Sequence, residues 1–201
     1  MSHFAFVRPA ACLLGTLVLL SACESESADS QEEPLARVHV AAAQEGVAAA
    51  ASIIGETLTL YICGSEETLD THTRWFFSLP LQEDDTFEGQ ADGWSVAGER
   101  NGDSIVVTLR DPDGGDAMLD FDAATGAQGL YTFDSPGCTT GLVAWADDDA
   151  PGGLGFQGAW CDGAGAFGQV IILAPDSFTA EGGDGAVEDR DDLGTFTLRP
   201  F

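Results

Sequence analysis

The residues best suited to chemistry in this sequence are aspartates that crowd one short stretch. Asp111, Asp113 and Asp116 fall in the run DPDGGD, and Asp120 or Asp122 follows closely. Calcium takes about six to eight oxygen ligands, and a turn with closely spaced carboxylates supplies several of them. The spacing therefore makes Asp111, Asp113 and Asp116 a candidate calcium site.

The same run also suits an ordinary solvated hairpin turn, since Asp-Pro-Asp-Gly is favourable turn chemistry. It departs from an EF-hand, because Gly115 takes the fifth position, Asp116 replaces the turn glycine and Asp122 stands in place of the final glutamate. Two further acidic clusters are open to the same two interpretations, a calcium site or a solvated turn: Asp147, Asp148 and Asp149, and Asp189, Asp191 and Asp192. Our expectation is that the domain holds no cofactor, with calcium as the alternative.

Other catalytic arrangements have little support. A serine nucleophile needs a histidine base, and beyond the N-terminal stretch the sequence offers only His39 and His72. No GxSxG, HExxH, P-loop or dinucleotide-binding glycine pattern occurs. Hydrolysis by paired carboxylates needs an acid and a base across a cleft, and 34 acidic residues alone do not indicate one. We expect no enzyme, and we expect His72 on a strand surface.

The cysteines of the body indicate one disulfide and one free thiol. Cys138 and Cys161 lie equally far from the centre of the acidic turn at 147–152. In a regular antiparallel hairpin they would face each other, close enough to form a disulfide, and Cys63 would be a buried thiol. The competing pair is Cys63–Cys161, because both residues end an aromatic-containing strand before a glycine turn. No CxxC spacing supports a redox or metal role.

Most aromatic residues should lie in the core, since they bury large areas. Trp145 and Trp160 are the exceptions to consider, because they flank the predicted disulfide hairpin. They are candidates for a platform that binds a glycan or a peptide.

The charge balance restricts the partners. The chain has 7 basic residues, all arginine, against 34 acidic ones, for a net charge of −27. Nucleic acid is an unsuitable partner, because phosphate binding depends on clusters of lysine and arginine. A basic patch on anionic lipid is excluded for the same reason. The acidity suits a saline or calcium-containing exterior, and a compositional bias of the genome explains it equally well.

The beginning of the chain predicts its location. Arg8 precedes an uncharged, mostly apolar run at 9–22, which is shorter than the roughly 20 residues of a membrane-spanning helix and is typical of a signal peptide. The run ends in Leu20-Ser21-Ala22-Cys23, which resembles the lipobox of bacterial lipoproteins. That resemblance implies cleavage before Cys23, with two acyl chains on its sulfur and a third on its new amino group. An ordinary secretory signal cut after Ala22 is the simpler alternative.

Three regions follow from this pattern. We predict a signal peptide at 1–22, a lipidated cysteine with a disordered acidic tether at 23–44, and a β-domain at 45–201. Residues 24–34 carry acidic and serine side chains and no large apolar ones, so they cannot offset the entropy of ordering. Under the sorting rule of enteric bacteria, Glu24 after the cysteine favours the outer membrane of a Gram-negative cell envelope.

Short strands punctuated by turns dominate the rest. The runs at 47–54 and 57–63 flank a Gly-Glu turn and predict a hairpin, and Asn101-Gly102 marks another. The acidic stretch at 82–93 indicates a loop, and a short Ala-rich helix is the alternative for 41–51. Turns recur about every 8 to 15 residues with no sustained helical period, which predicts a single antiparallel β-sandwich or small barrel.

A succession of motifs adds a resemblance. Tyr61-Ile62-Cys63-Gly64, Arg74-Trp75-Phe76, the glycine-containing hairpin at 98–110 and Gln128-Gly129-Leu130-Tyr131 occur in this order. The order is similar to that of small secreted and lipid-anchored bacterial proteins with a "YVCDG … EWF … GLY" pattern. The likeness covers roughly 45–175, with Gly64 where Asp is usual and Arg74 where Glu is usual. It implies a β-domain and an exported location, and it implies no activity.

Together these observations predict a membrane-anchored envelope lipoprotein with a non-enzymatic binding or structural β-domain. Its expected partners are the membrane, through the lipid, and an envelope protein or a glycan. A calcium-dependent adhesion or recognition module is the first alternative, and an acidic-cleft hydrolase is the second.

Overall fold

The computed structural model describes residues 37–44, 46–174, 179–183, 195–197 and 199–201. The predicted signal peptide, Cys23 and the cluster Asp189, Asp191 and Asp192 lie outside these residues. The described part has one short helix, α1 (Leu69–His72). Its strands are β1 (Arg37–Gln44), β2 (Val47–Ile54), β3 (Thr57–Gly64), β4 (Arg74–Pro80), β5 (Thr86–Ala91), β6 (Trp94–Asn101), β7 (Ser104–Arg110), β8 (Asp116–Ala123), β9 (Gly129–Ser135), β10 (Cys138–Ala146), β11 (Leu154–Cys161), β12 (Phe167–Ala174), β13 (Thr179–Gly183), β14 (Thr195–Thr197) and β15 (Arg199–Pro200).

The predicted all-β class is confirmed, and its larger sheet is nearly closed like a barrel. Eight antiparallel strands follow the order β4-β3-β2-β1-β8-β7-β6-β5. The two end strands meet where Leu79 of β4 packs over Gly89 of β5, since a Cβ at Gly89 would overlap the Leu79 side chain. The glycine therefore makes room for the side chain that closes the sheet.

The barrel interior is filled by alternate residues of all eight strands. On β3, for example, Leu58, Leu60 and Ile62 point inward, while Tyr61 and Cys63 belong to the opposite face. Burying each large apolar side chain stabilises the fold by about 1.5–3 kcal/mol. The largest members of this interior core are Phe76, Phe87, Trp94 and Phe121.

A second antiparallel sheet has the order β14-β13-β12-β11-β10-β9-β15 and packs on the outer face of the barrel. The layer between the two sheets combines small and apolar residues from both: Val40, Ala48, Ala50, Tyr61 and Cys63 from the barrel, and Leu130, Val143 and Ala159 from the second sheet. The approach is closest at Gly141 of β10. A Cβ there would lie 2.6 Å from Cζ of Tyr61 and 2.8 Å from Cζ2 of Trp75.

The hairpin predicted at 47–54 and 57–63 is confirmed as β2 and β3, but the predicted tether at 23–44 is wrong for Arg37–Gln44. This segment is β1, which pairs with β2 and, through His39 and Val40, with β8. The Ala-rich helix at 41–51 is also wrong, because Gly46, with φ of +81°, turns the chain between β1 and β2. Both β1 and β2 are internal strands of the sheet, with a paired strand on each side. Their small alanine side chains allow this close packing.

The acidic loop predicted at 82–93 is wrong for Thr86–Ala91, since this segment is β5 and pairs with β6 along its whole length. Phe87 is its one large apolar residue, and it is buried in the barrel. Asp92 and Gly93, both with positive φ, make the tight turn into β6.

The predicted disulfide Cys138–Cys161 is present, with a Cα–Cα distance of 6.2 Å. The register behind the prediction is one residue off, because Gly141 pairs with Ala159, so that the ladder would place Thr139 opposite Cys161. The bridge therefore forms diagonally, just beyond the last paired residues. Cys63 is free and buried, as predicted, and the competing pair Cys63–Cys161 is wrong. Among the described residues, no helix has the length and apolar character to cross a membrane.

Candidate functional site

A pocket of about 420 Å³ opens at one end of the barrel. It lies where β2, β6 and β8 begin, where β3 and β7 end, and beside α1. We call it the barrel-mouth pocket, and its lining residues are Val47, Ile62, His72, Trp94, Leu109, Asp111, Gly115, Asp116, Ala117, Met118 and Leu119. The volume lies within the roughly 300–1,000 Å³ of typical small-molecule sites.

An aromatic pair forms one side of this pocket. Trp94 is only 7 % exposed and belongs to the barrel core. The ring of His72 meets it edge-on, with centroids 5.3 Å apart and planes at 64°. His72 Nδ1 also shares a hydrogen bond of 2.8 Å with the Thr71 hydroxyl, so the imidazole is held in place.

Helix α1 positions His72 because it sits directly against β3. The backbone N–H groups of Thr71 and His72 donate to the Thr68 carbonyl. A Cβ at Gly64 would overlap that same carbonyl, so only glycine allows the close approach. The prediction that His72 lies on a strand surface is therefore wrong, and no local pattern indicated this short helix between two strands.

The other side of the pocket is aliphatic. Leu109 and Leu119 are buried barrel residues from β7 and β8, and Ala117 lies beside them in the lining. Met118 is 64 % exposed, the largest value among the exposed large hydrophobic residues of the described part of the chain. A flexible thioether at the mouth adapts readily to ligands of different shape.

The rim of the pocket is acidic. Asp111 Oδ1 accepts a hydrogen bond of 2.8 Å from the Gly115 N–H. Asp116 accepts two from Arg110, at 2.7 Å from Nε and 3.0 Å from Nη2. This pairing lowers the pKa of the Asp116 carboxyl and raises the pKa of Arg110. Because both groups are exposed, the pair orders the rim more than it stabilises the fold.

A neighbouring depression of about 300 Å³ extends the acidic rim. It shares His72, Trp94 and Asp111 with the barrel-mouth pocket and adds Asp70, Asp113 and one cation, Arg74. Of the aspartates in the DPDGGD run, Asp111 lines both openings, Asp116 only the barrel-mouth pocket and Asp113 only the neighbouring depression. Within the described ranges, no group of three or more His, Cys, Asp or Glu side chains is arranged to hold a metal ion, and calcium binding stays a prediction.

The second acidic cluster behaves as an ordinary turn. The Asp149 N–H donates to the Asp147 carboxylate over 3.1 Å, and the Ala150 N–H donates to the Asp147 carbonyl. Such local bonds are typical of aspartate in turns. Asp147, Asp148 and Asp149 are therefore accounted for by the β10–β11 connection.

Trp145 and Trp160 do not form a common platform. Trp145 packs with the layer between the sheets and covers Gly155, whereas Trp160 belongs to the apolar cluster on the other face of the second sheet. Both side chains are partly buried. The prediction of a shared glycan or peptide platform at these two residues is wrong. Trp145 of β10 pairs with Gly155 of β11, which lies an odd number of residues from Trp160, and side chains alternate between faces along a strand.

The barrel-mouth pocket combines an aromatic pair, an aliphatic wall and an acidic rim. Such a surface suits a small molecule with an apolar body and a positive charge, since carboxylates and an aromatic face both attract cations. Comparison of the chain with protein-family models, with curated proteins and with solved structures finds no match.

Proposed function

We propose that this chain is an envelope lipoprotein, held to the membrane by acyl chains at Cys23, whose β-domain binds a small ligand without converting it. The observation that carries the proposal is the barrel-mouth pocket of about 420 Å³. Buried strand residues such as Leu109 and Leu119 make its wall, so the cavity is largely formed before a ligand arrives.

The charge around the pocket selects the ligand class. Asp111, Asp113 and Asp70 line it and the depression beside it, where they outnumber Arg74, and the positive charge of Arg110 is already engaged by Asp116. The whole chain carries a net charge of −27, which repels anions over a longer range. The ligand is therefore a small organic cation, with its apolar body against Leu109 and Leu119.

Two features support the exported location. The sequence before the tether ends in the lipobox-like Leu20-Ser21-Ala22-Cys23. The disulfide Cys138–Cys161 suits an oxidising compartment outside the cytoplasm, where such bonds persist. Three acyl chains hold a protein to a membrane far more firmly than one, because each buried methylene adds about 0.8 kcal/mol.

Matched ligands test the binding site. We expect hexyltrimethylammonium to raise the melting temperature and to change tryptophan fluorescence, and hexanesulfonate, with the same apolar body, to do neither. Asp111→Asn should weaken binding of the cation, while Asp147→Asn, in the distant β10–β11 turn, should leave it unchanged. Equal effects of the two ligands, or none from either, would contradict the proposed site.

The anchor is tested separately. Cells producing the chain are fed radiolabelled palmitate, and we expect label on the wild type, none on Cys23→Ala, and unchanged label on Cys63→Ala. Persistent labelling of Cys23→Ala would disprove the lipidation site and would have no bearing on ligand binding at the barrel-mouth pocket.

A further inference from the structure

A second depression, of about 350 Å³, lies between β4 and the end of the second sheet that carries the disulfide. We call it the aromatic cleft and define it by Arg74, Trp75, Phe77, Asp92, Thr139 and Phe167, with Cys138 and Cys161 in its lining. We propose that the aromatic cleft binds a pyranose ring of a neutral glycan. This site is distinct from the barrel-mouth pocket and does not depend on it.

The first observation is the exposure of two phenylalanines in one cleft. Phe77 is 54 % and Phe167 41 % exposed, in a chain whose charge is −27. Exposed aromatic surface collected in a concave site marks a binding region more often than a single exposed apolar side chain does. The two residues come from different sheets, so the fold brings together what the sequence separates.

A β-bulge directly follows Phe77 on β4. Leu58 pairs with Leu79 while Leu60 pairs with Phe76, so β4 has one residue more than β3 at this point. Ser78 takes a φ of +56° there, a conformation that few non-glycine residues adopt. Bulges and unfavourable backbone conformations concentrate at functional sites.

The aromatic surface is rigid as well as exposed. The rings of Trp75 and Phe77 lie 5.0 Å apart with planes at only 6°. Trp75 Nε1 donates to the Thr139 carbonyl over 3.2 Å, and its ring also packs on Tyr61 at 4.4 Å. On the facing side, Phe167 pairs with Cys161, which the disulfide ties to Cys138. A preorganised surface loses little freedom when a ligand binds.

The polar rim of the cleft selects a neutral, hydroxylated ligand. Arg74 and Asp92 lie there with Nε and Oδ2 4.0 Å apart, and the Asp92 side chain is 82 % exposed. This pair offers hydrogen-bond donors and acceptors but no net charge, so an ionic ligand gains nothing from it. An aliphatic chain would make no hydrogen bond to either group. A pyranose satisfies all of these conditions, because its C–H face is apolar and its edge carries hydroxyl groups.

Calorimetry of the full chain with defined sugars tests this proposal. The probes are cellohexaose and chitohexaose, which are neutral, and hexagalacturonate, which is anionic. We expect saturable binding of a neutral hexasaccharide, at least tenfold weaker binding by Phe77→Ala and by Phe167→Ala, and weaker binding by Asp92→Asn. Ile54→Ala is the matched control, since Ile54 is 46 % exposed but lies at the far end of β2.

The outcomes separate clearly. Because Phe77 is exposed, its replacement by alanine should leave the melting curve nearly unchanged, so a loss of binding reports on the cleft. The proposal is overturned if neither neutral sugar binds, if Phe77→Ala binds as tightly as the wild type, or if hexagalacturonate binds as well as the neutral sugars. Since the barrel-mouth pocket is tested with alkylammonium ions, either site can fail without the other.

Discussion

Replacing Tyr61 by phenylalanine should loosen the contact between the barrel and the second sheet. Tyr61 lies on β3 and is fully buried. Its hydroxyl donates to the Gly141 carbonyl and accepts from the Ala159 N–H, both over 3.0 Å. Burial raises the pKa of Tyr61 well above its ordinary value, so the hydroxyl stays protonated and can make both bonds over the accessible pH range.

The expected magnitude follows from what the substitution leaves behind. A hydrogen bond contributes about 0.5–1.5 kcal/mol net, whereas a buried donor or acceptor that loses its partner costs about 1–3 kcal/mol. Tyr61→Phe keeps the ring in place and leaves the Ala159 N–H without its hydroxyl acceptor. The Gly141 carbonyl also loses its bond to the hydroxyl, but this costs less than the unpaired N–H, because each carbonyl has two lone pairs. We therefore expect the free energy of unfolding to fall by about 2–3 kcal/mol.

Urea denaturation followed by tryptophan fluorescence and far-UV circular dichroism measures this change. Tyr131→Phe is the matched control, because its hydroxyl donates to the Ala127 carbonyl of a local turn, over 2.8 Å. We expect it to cost about 1 kcal/mol or less. If Tyr61→Phe costs less than about 0.5 kcal/mol, the hydroxyl does not hold the two sheets together and the reasoning fails.

Three further perturbations have defined outcomes. Replacing Cys138 and Cys161 together by serine should lower the free energy of unfolding by about 3 kcal/mol, from loop-closure entropy; a urea midpoint identical to that of the oxidised wild type would contradict this. His39 is buried, and desolvation foremost lowers its pKa below 6.5, so the unfolded chain takes up this proton first. The contribution of neutral His39 to the free energy of unfolding is complete above pH 6.5 and is lost as the pH falls toward the folded-state pKa of His39. Denaturation at several pH values should therefore show a loss of stability in this range that is smaller in His39→Leu. An equal loss of stability in the variant would show that other groups cause it. Gly141→Ala should lower the free energy of unfolding by about 1–3 kcal/mol, because the new Cβ would press on Tyr61 and Trp75. An unchanged melting temperature would show that the two sheets move apart to accept the methyl group at no cost.

Local signals in the sequence predicted the elements whose partners are adjacent along the chain. The Gly-Glu turn between β2 and β3 is present. The turn that Asn101-Gly102 marked between β6 and β7 is also present, with Gly102 and Asp103 as its two connecting residues. The disulfide also followed from a local hairpin, even though its assumed register was one residue off. These features depend on turn residues within a short stretch of chain, which can be identified from the sequence alone.

The elements that the sequence analysis missed depend on distant partners. β1 follows an acidic stretch and carries mostly small residues, and its place in the sheet comes from pairing His39 with Ala123. β5 has one large apolar residue, Phe87, and its position depends on Gly89 receiving Leu79. The choice between a sandwich and a nearly closed barrel depends on these same long-range contacts, so periodicity could not decide it.

Both candidate sites arise where the regular ladders are interrupted. Along an uninterrupted strand, alternate side chains are committed to the barrel or to the contact between sheets, which leaves few of them for ligands. The insertion of α1 between β3 and β4 brings His72 to Trp94, and the bulge at Ser78 interrupts β4 beside Phe77. The turn at Asp92 supplies the polar rim of the aromatic cleft. A short helix, an extra strand residue and a turn conformation have weak sequence signals. The sequence therefore indicated the aspartates of the barrel-mouth pocket but not the aromatic residues of the two sites.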